Sequence, residues 1–376
     1  MQIYLDNAAT TAPSKEVVEA MLPYLTTYYG NPSSQHEAGR KVRSAIEESR
    51  KKIASYIHAK PGDIVFTSGG TESNNTILKG CVRDLGVKRI IISAIEHHGI
   101  LHTAEYLRDK EHVELVILPV NRLGQVDLEL LENYLSSSLV KTLVSIMHAN
   151  NEIGVMIHLN QVAQLCKKYQ ALFHSDTVQS FAHFKIDVEE TLVDFISVAA
   201  HKFHGPKGVG FFYMSKSAKI HSFIQGGSQE RGMRAGTENV PGIIGMTHAI
   251  ELAYDNLEED SVYILGLKRY LIDRIKRDFP DIYFNGTLAD SESLYTVLSL
   301  SLPYTDAGSL LLFELDMRGI CVSGGSACSS GASVGSHVIA ALQGEQRRIP
   351  LRVSFSKYNT REEIDTFLQV LKELYH

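Results

Sequence analysis

Between residues 38 and 214 the chain alternates short apolar runs with stretches of helical periodicity, and this alternation narrows the possible folds more than any other feature. Apolar runs rich in β-branched residues at 63–67, 88–94, 113–118, 141–147, 171–175, 194–200 and 209–214 predict strands. A first helix is expected over 38–59, with Val42, Ala45, Ile46, Ile53 and Ile57 at helical spacing and a stop before Pro61-Gly62. Further helices are expected at 72–84, 99–109, 127–137 and 158–169. Strands joined through helices imply an α/β fold, a mainly parallel sheet covered by helices on both faces. The last three strands follow closely without long helices, so some antiparallel pairing is expected there.

From about 240 to 277, after Pro241, the pattern predicts one long helical stretch. Beyond it, strands at 281–285, 296–302 and 350–356 mix with helices at 307–317, 336–343 and 360–374, the texture of a smaller α+β unit. A chain of 376 residues exceeds what one core usually serves. The expected division is a large domain over 14–258 and a small domain made of 1–13 with 259–376, joined rigidly by the long helix. The 37 basic against 43 acidic side chains leave a net charge of -6, which argues against a footprint for nucleic acid or a membrane surface. Arg40, Lys41, Arg43, Arg50, Lys51 and Lys52 alternate with Glu47 and Glu48, as on a solvated helix face. No run approaches the length of a membrane span. Within a few residues of Met1 the chain enters the polar DNAATTAPS, so no secretory signal is expected. Cys81, Cys166, Cys321 and Cys328 lack zinc-site spacing and do not suggest a disulfide scaffold, which points to a reducing, cytoplasmic setting.

Four segments contain candidate chemistry. In DFISVAAHKFHGPKGVG (194–210) a strand breaks at His201-Lys202 into a glycine-rich turn. A Schiff-base lysine needs such a mount, rigid and partly desolvated; an exposed loop lysine is the plain alternative. VFTSGGTESNN (65–75) runs from strand through Gly69-Gly70 to Thr71 at a helix start, either a phosphate cradle or an ordinary capping box. FHSDTVQS (173–180) sets Asp176 at a strand end with Gln179 three residues on, either a carboxylate for a protonated ring nitrogen with an amide for the next polar group of the ring or, as isolated residues, ordinary strand-end polar groups. AIEHHGILH (94–102) offers His97 for stacking on a flat cofactor, with a helix-capping histidine as the plain alternative; His98 and His102 have zinc-like spacing without a third ligand. All four lie at the carboxyl ends of expected strands, where open α/β sheets bind ligands. Together they meet the requirements of pyridoxal 5'-phosphate.

The ordered set of motifs resembles the NifS/IscS-like cysteine desulfurases, within the class V aminotransferase-like, fold-type I pyridoxal-phosphate enzymes. The likeness runs through YLDNAATT (4–11), GNPSSQHEAG (30–39), SGGTESNN (68–75), EHH (96–98), NNEIGV (150–155), HSDTVQS (174–180), AHKFHGPKGVG (200–210), GGSQERGMRAGTENVPGIIG (226–245), SGGSACSSG (323–331) and LRVSFSKYNTREEID (351–365). The resemblance implies that Lys202 holds the cofactor covalently and shuttles protons, His97 stacks on its ring, and Asp176 pairs with its nitrogen. Asn151 and Gln179 would bind at or near its phenolic oxygen. Gly70, Thr71 and His201 would hold the phosphate, with Thr237 from the other subunit of a homodimer. Arg352 would grip the substrate carboxylate, assisted by Asn31. Many relatives have serine three residues before the lysine, whereas this chain has Ala199, a lost hydroxyl contact worth ~1 kcal/mol.

Cys328, in the small-residue loop SGGSACSSGASVGS (323–336), decides between reactions. In a desulfurase its thiolate attacks the sulfur of bound L-cysteine, leaving a persulfide on the enzyme and alanine as product. It then needs a lowered pKa or a base such as His97. The loop is expected to be mobile, carrying Cys328 into the pocket and out to an acceptor. Its apparent length resembles that of the group that donates to iron-sulfur scaffold proteins, with Cys328 able to ligate a cluster transiently and no intrinsic metal site. The alternatives are another pyridoxal-phosphate reaction, such as an aminotransferase or selenocysteine lyase, and a non-catalytic binding or scaffold protein.

Overall fold

The computed structural model describes residues 2–304, 310–324, 335–344 and 348–375. In chain order, β1 (Ile3–Tyr4) leads to α1 (Lys15–Thr26), α2 (Glu37–Tyr56), β2 (Ile64–Thr67), α3 (Gly70–Leu85), β3 (Arg89–Ser93), α4 (His98–Glu111) and β4 (Glu114–Leu118). Next come α5 (Leu128–Ser136), β5 (Thr142–Ser145), α6 (Leu159–Lys168), β6 (Leu172–Asp176), the short α7 (Val188–Thr191), β7 (Phe195–Ala199) and β8 (Gly210–Met214). The chain continues through α8 (Val240–Asp255), α9 (Leu257–Asp278), β9 (Tyr283–Asn285), β10 (Val297–Pro303), α10 (Leu311–Met317), β11 (Ile320–Cys321), α11 (His337–Ala341), β12 (Arg348–Ser354) and α12 (Arg361–Tyr375).

Seven strands build one sheet in the order β2-β8-β7-β6-β5-β3-β4. Five of them, from β7 to β4, run parallel. Only β8 opposes its neighbours, β2 and β7. The expected antiparallel pairing is thus confined to β8, because residues 177–194 between β6 and β7 exceed the dozen or so that a parallel crossover needs. Side chains alternate between two cores, as the pleat requires. Ile91, Val144, Ile196 and Phe211 face a cluster with Val42 and Ile53 of α2, Val162 of α6 and Ile243 of α8. Ile90, Ile92, Leu143, Phe195 and Phe212 face another with Ile77 of α3 and Ile100 and Leu107 of α4. A third core joins Ile3 and Leu5 to Leu267, Leu271, Leu300, Leu351 and Phe367. It lies against the antiparallel sheet β12-β10-β9 and the parallel pair β1-β11.

Two elements differ from the sequence expectation. The long helix over 240–277 is two helices meeting at Asn256, whose side-chain amide donates to the Leu252 carbonyl at 2.8 Å. Glu258, Glu259 and Asp260 then occupy the first turn of α9, where acidic side chains suit a helix N-terminus. Helix α1, capped by Ser14 and interrupted in pattern by Pro23, was not expected. Among the described residues, no helix is long and apolar enough to cross a membrane.

A buried ion pair fixes the loop after β8. Arg50 of α2 makes two hydrogen bonds to the Glu230 carboxylate, at 2.7 and 2.8 Å, and Glu230 also accepts from the Phe66 backbone N–H at 2.8 Å. Glu230 and Arg231 adopt left-handed backbone angles, φ 46° and 58°, so the pair holds a turn that the backbone alone disfavours. Arg50→Ala should lower unfolding free energy by about 3–5 kcal/mol, because it strands a buried carboxylate. Denaturant unfolding should show most of that loss recovered when Glu230→Gln is added. An equal loss in the double variant would mean that packing, and not charge, is responsible.

Candidate active site

The carboxyl ends of β6 and β7 and the N-termini of α3 and α4 converge on a cavity of about 250 Å³. Lys202 closes the short 3-10 turn after β7 and lines this cavity. Its ammonium donates to the carbonyls of Ala8 and Ala9 at 2.6 and 2.8 Å, so the N-terminal DNAATT segment forms the lysine's wall. Beside it, His201 bonds through Nδ1 to the Thr10 hydroxyl at 3.2 Å. Burial pushes the His201 imidazole down to about 4, helped by the charges of Lys202 and Lys207, so the ring is neutral at pH 7.

Asp176, the last residue of β6, is buried. One of its oxygens accepts from the Asn74 side-chain amide at 2.7 Å and the other from the Val178 N–H at 3.0 Å. Gln179 lies on the same wall and donates to the Ala8 carbonyl at 2.9 Å. Across the sheet, His97 caps α4: its Nδ1 accepts from the Gly99 N–H at 3.0 Å, which leaves the proton of the neutral ring on Nε2. Burial is the main cause holding His97 below its ordinary pKa; Asp176 pulls it up and Lys202 pulls it down. Glu96 sits behind it, fully buried, and accepts from the Ser93 hydroxyl and the Met147 N–H. Burial raises Glu96 to about 8, and the nearby Asp176 adds to the rise. Among the described residues, Asp176 is the acidic side chain that lines the cavity.

Arg352 of β12 enters the same cavity although only 2% exposed. Its fork is steadied by Asp6 at 2.7 Å and by the Asn151 carbonyl at 2.8 Å, and its buried Nε has no hydrogen-bond partner among the described residues. An unpaired buried donor of this kind is costly unless a ligand satisfies it. Asn151 also lines the cavity.

The residues present fit pyridoxal phosphate. Gly70 and Thr71 open α3 at the cavity edge, where the backbone N–H groups of a helix start favour a phosphate. A Cβ at Gly70 would lie 2.6 Å from Val178 Cγ2, and one at Gly99 would lie 3.1 Å from His97 Nδ1 and 3.6 Å from the Thr71 hydroxyl, so glycine keeps this cradle open. Ala199 lines the cavity too, with a methyl group where a hydroxyl would have offered another donor.

Three assigned residues stand apart. Thr237 lines a different pocket with Arg234 and Asn239. Asn31 lies on the exposed connection between α1 and α2, with its side-chain oxygen accepting from the Ser33 N–H at 2.8 Å. Cys328 lies outside the described residues, as does most of the loop 323–336. His98 stacks on His102 with ring centroids 4.7 Å apart and meets His337 at 4.6 Å. Despite that third ring, no group of three His, Cys, Asp or Glu side chains among the described residues could hold a metal ion.

Sequence reasoning missed Asn74 and Asp6. Asn74 follows Thr71 by three positions, so both share one face of α3, a signal available in SGGTESNN. Asp6 lies within YLDNAATT, but its pairing with Arg352 joins residues 346 positions apart and could not be read from spacing.

The class-V aminotransferase family profile matches residues 3–367. Cysteine desulfurase IscS of Dictyoglomus turgidum is 45% identical over 99% of this chain and 94% of its own length. Cysteine desulfurase IscS of Methanosarcina thermophila is 42% identical over 99% and 91%. Among solved structures, a NifS-like protein superposes with a TM-score of 0.91 at 36% identity, covering 100% of this chain and 99% of its own. A NifS-like protein from Rickettsia africae gives 0.90 at 35% identity, over 100% and 99%.

Proposed function

This chain belongs to the class-V aminotransferase family, among the NifS/IscS-like cysteine desulfurases, and from that premise we propose that it converts L-cysteine to L-alanine and passes the sulfur to Cys328 as a persulfide. One observation carries the reading: Lys202, His97, Asp176, Gly70, Thr71 and Arg352, drawn from both halves of the chain, line one cavity. Bound pyridoxal phosphate supplies an electron sink that weakens the Cβ–S bond of the substrate.

The side chains around it have separate tasks. Lys202 provides the amine that attaches the cofactor and then carries protons at the substrate. Asp176, aligned by Asn74, holds a proton on the ring nitrogen, while Asn151 and Gln179 serve the ring's oxygen side. Gly70, Thr71 and His201 hold the phosphate, completed by Thr237 from the second subunit of a homodimer. Arg352 takes the substrate carboxylate on its unsatisfied edge. Neutral His97 would lie over the ring with its proton on Nε2 and its Nδ1 taken by the Gly99 N–H, so Cys328 would attack as a thiolate that has already lost its proton. Cβ–S cleavage and S–S formation are then balanced by a proton delivered to Cβ, so that thiol plus cysteine yields persulfide plus alanine.

The third core, with Ile3 and Leu5 joined to residues beyond 264, supports a small domain formed by 1–13 with 259–376 beside a large domain over 14–258. The sulfur passes to an acceptor protein, an iron-sulfur scaffold being the first choice, in a reducing cytoplasm where a persulfide is handed on by thiol exchange. Purified protein given L-cysteine, pyridoxal phosphate and a thiol reductant should release alanine and sulfide in equal amounts. Alanine without sulfide, or neither product, would sink the desulfurase reading.

A further inference from the structure

Residues on either side of 325–334, the stretch that contains Cys328, are tied to the cavity. On one side, Ser323 pairs its backbone with Arg352 at 2.7 and 3.3 Å, and its hydroxyl donates to Asp6 at 2.7 Å. On the other, the Ser336 hydroxyl donates to the Glu152 carboxylate while accepting from the Ile339 N–H at 3.2 Å. His337 donates through Nε2 to the Glu96 carbonyl at 2.9 Å and tilts against His98. Beneath these contacts, Val338 and Leu342 pack with Ile95, Ile153 and Val155.

The partners are adjacent in sequence to cavity residues. Glu96 precedes His97, and Glu152 follows Asn151. Helix α11 is therefore fastened to the two turns that aim His97 and Asn151. Glu152 is 2% exposed, and burial raises its pKa. A buried carboxyl used to hold one serine adds little to stability, so its value lies in register. We propose that Ser336 and His337 are positioning residues for sulfur transfer, clamping the C-terminal root of the Cys328 segment to the turns that present His97 and Asn151. This inference rests on the desulfurase reading.

The test compares wild type, Ser336→Ala/His337→Phe, His337→Phe and His337→Gln, measuring cofactor absorbance, KM for L-cysteine and kcat for alanine. The double variant keeps the ring against His98 but lacks both donors. Its kcat should fall about ten- to hundredfold, the scale of misplaced reacting groups, with cofactor loading and KM unchanged. His337→Gln, which keeps an N–H donor, should recover most of the rate lost in His337→Phe alone. A double variant as fast as wild type overturns the proposal, and so does a rate loss that merely tracks lost cofactor or a lowered melting temperature. A wild type that forms no alanine sinks the desulfurase reading with it, whereas an active wild type with unaffected variants sinks this inference alone.

Discussion

Lys202→Ala protein, assayed with added pyridoxal phosphate, is expected to form alanine from L-cysteine about 10²–10⁴-fold more slowly than wild type, the usual contribution of a positioned proton carrier. The amine is aimed by a rigid mount: β7 pairs on both sides, and the turn Ala200–Lys202 is the first backbone outside the sheet. Two carbonyls, those of Ala8 and Ala9, hold the amine until it is used. Lys202→Arg separates charge from proton transfer, because a guanidinium keeps the positive charge but does not deprotonate. Both variants should be comparably slow, and a small primary amine added to Lys202→Ala should restore part of the rate. Substantial activity in Lys202→Arg would reduce the lysine to an electrostatic role.

What the sequence disclosed follows from the range of the interactions involved. Most strands of the large sheet were legible because strands buried on both faces read as unbroken apolar runs, as in Arg89–Ser93, which is buried throughout. The edge strand Glu114–Leu118 is partly exposed but keeps an apolar run from Leu115 to Leu118. The cavity was legible because strand ends and helix starts carry local marks, such as Gly69-Gly70 before Thr71 and His97 at an N-cap. Helix α1 was not, since Val18, Leu22 and Leu25 are exposed and Pro23 breaks the periodicity. Arg352 was recognised by resemblance, yet its restraint by Asp6 and the Asn151 carbonyl depends on β12 reaching across from the third core. Contacts of that length leave no periodic trace. The break at Asn256 was readable in principle from the acidic first turn that follows it.

Cys328→Ala protein is expected to lose alanine formation by more than about a thousandfold while its cofactor remains attached at Lys202, because removing a nucleophile leaves the remaining groups nothing to assist. Covalent reach supports this assignment. Cys328 comes five positions after Ser323, a span of at most about 18 Å, and nine positions before His337, at most about 32 Å. Ser323 pairs with Arg352, which lines the cavity, and His337 bonds the carbonyl of Glu96, the residue before cavity-lining His97. The other cysteines are poorly suited. Burial raises the thiols of Cys81 and Cys166 above their ordinary pKa, and Cys321 sits on β11 with its sulfur accepting from the Gln2 amide at 3.1 Å. Cys321→Ala should accordingly retain turnover. An aminotransferase built on the same cavity would be indifferent to Cys328→Ala, so the alanine yield of that variant separates the two chemistries. If Cys321→Ala proved inactive and Cys328→Ala active, the travelling sulfur would have been assigned to the wrong side chain.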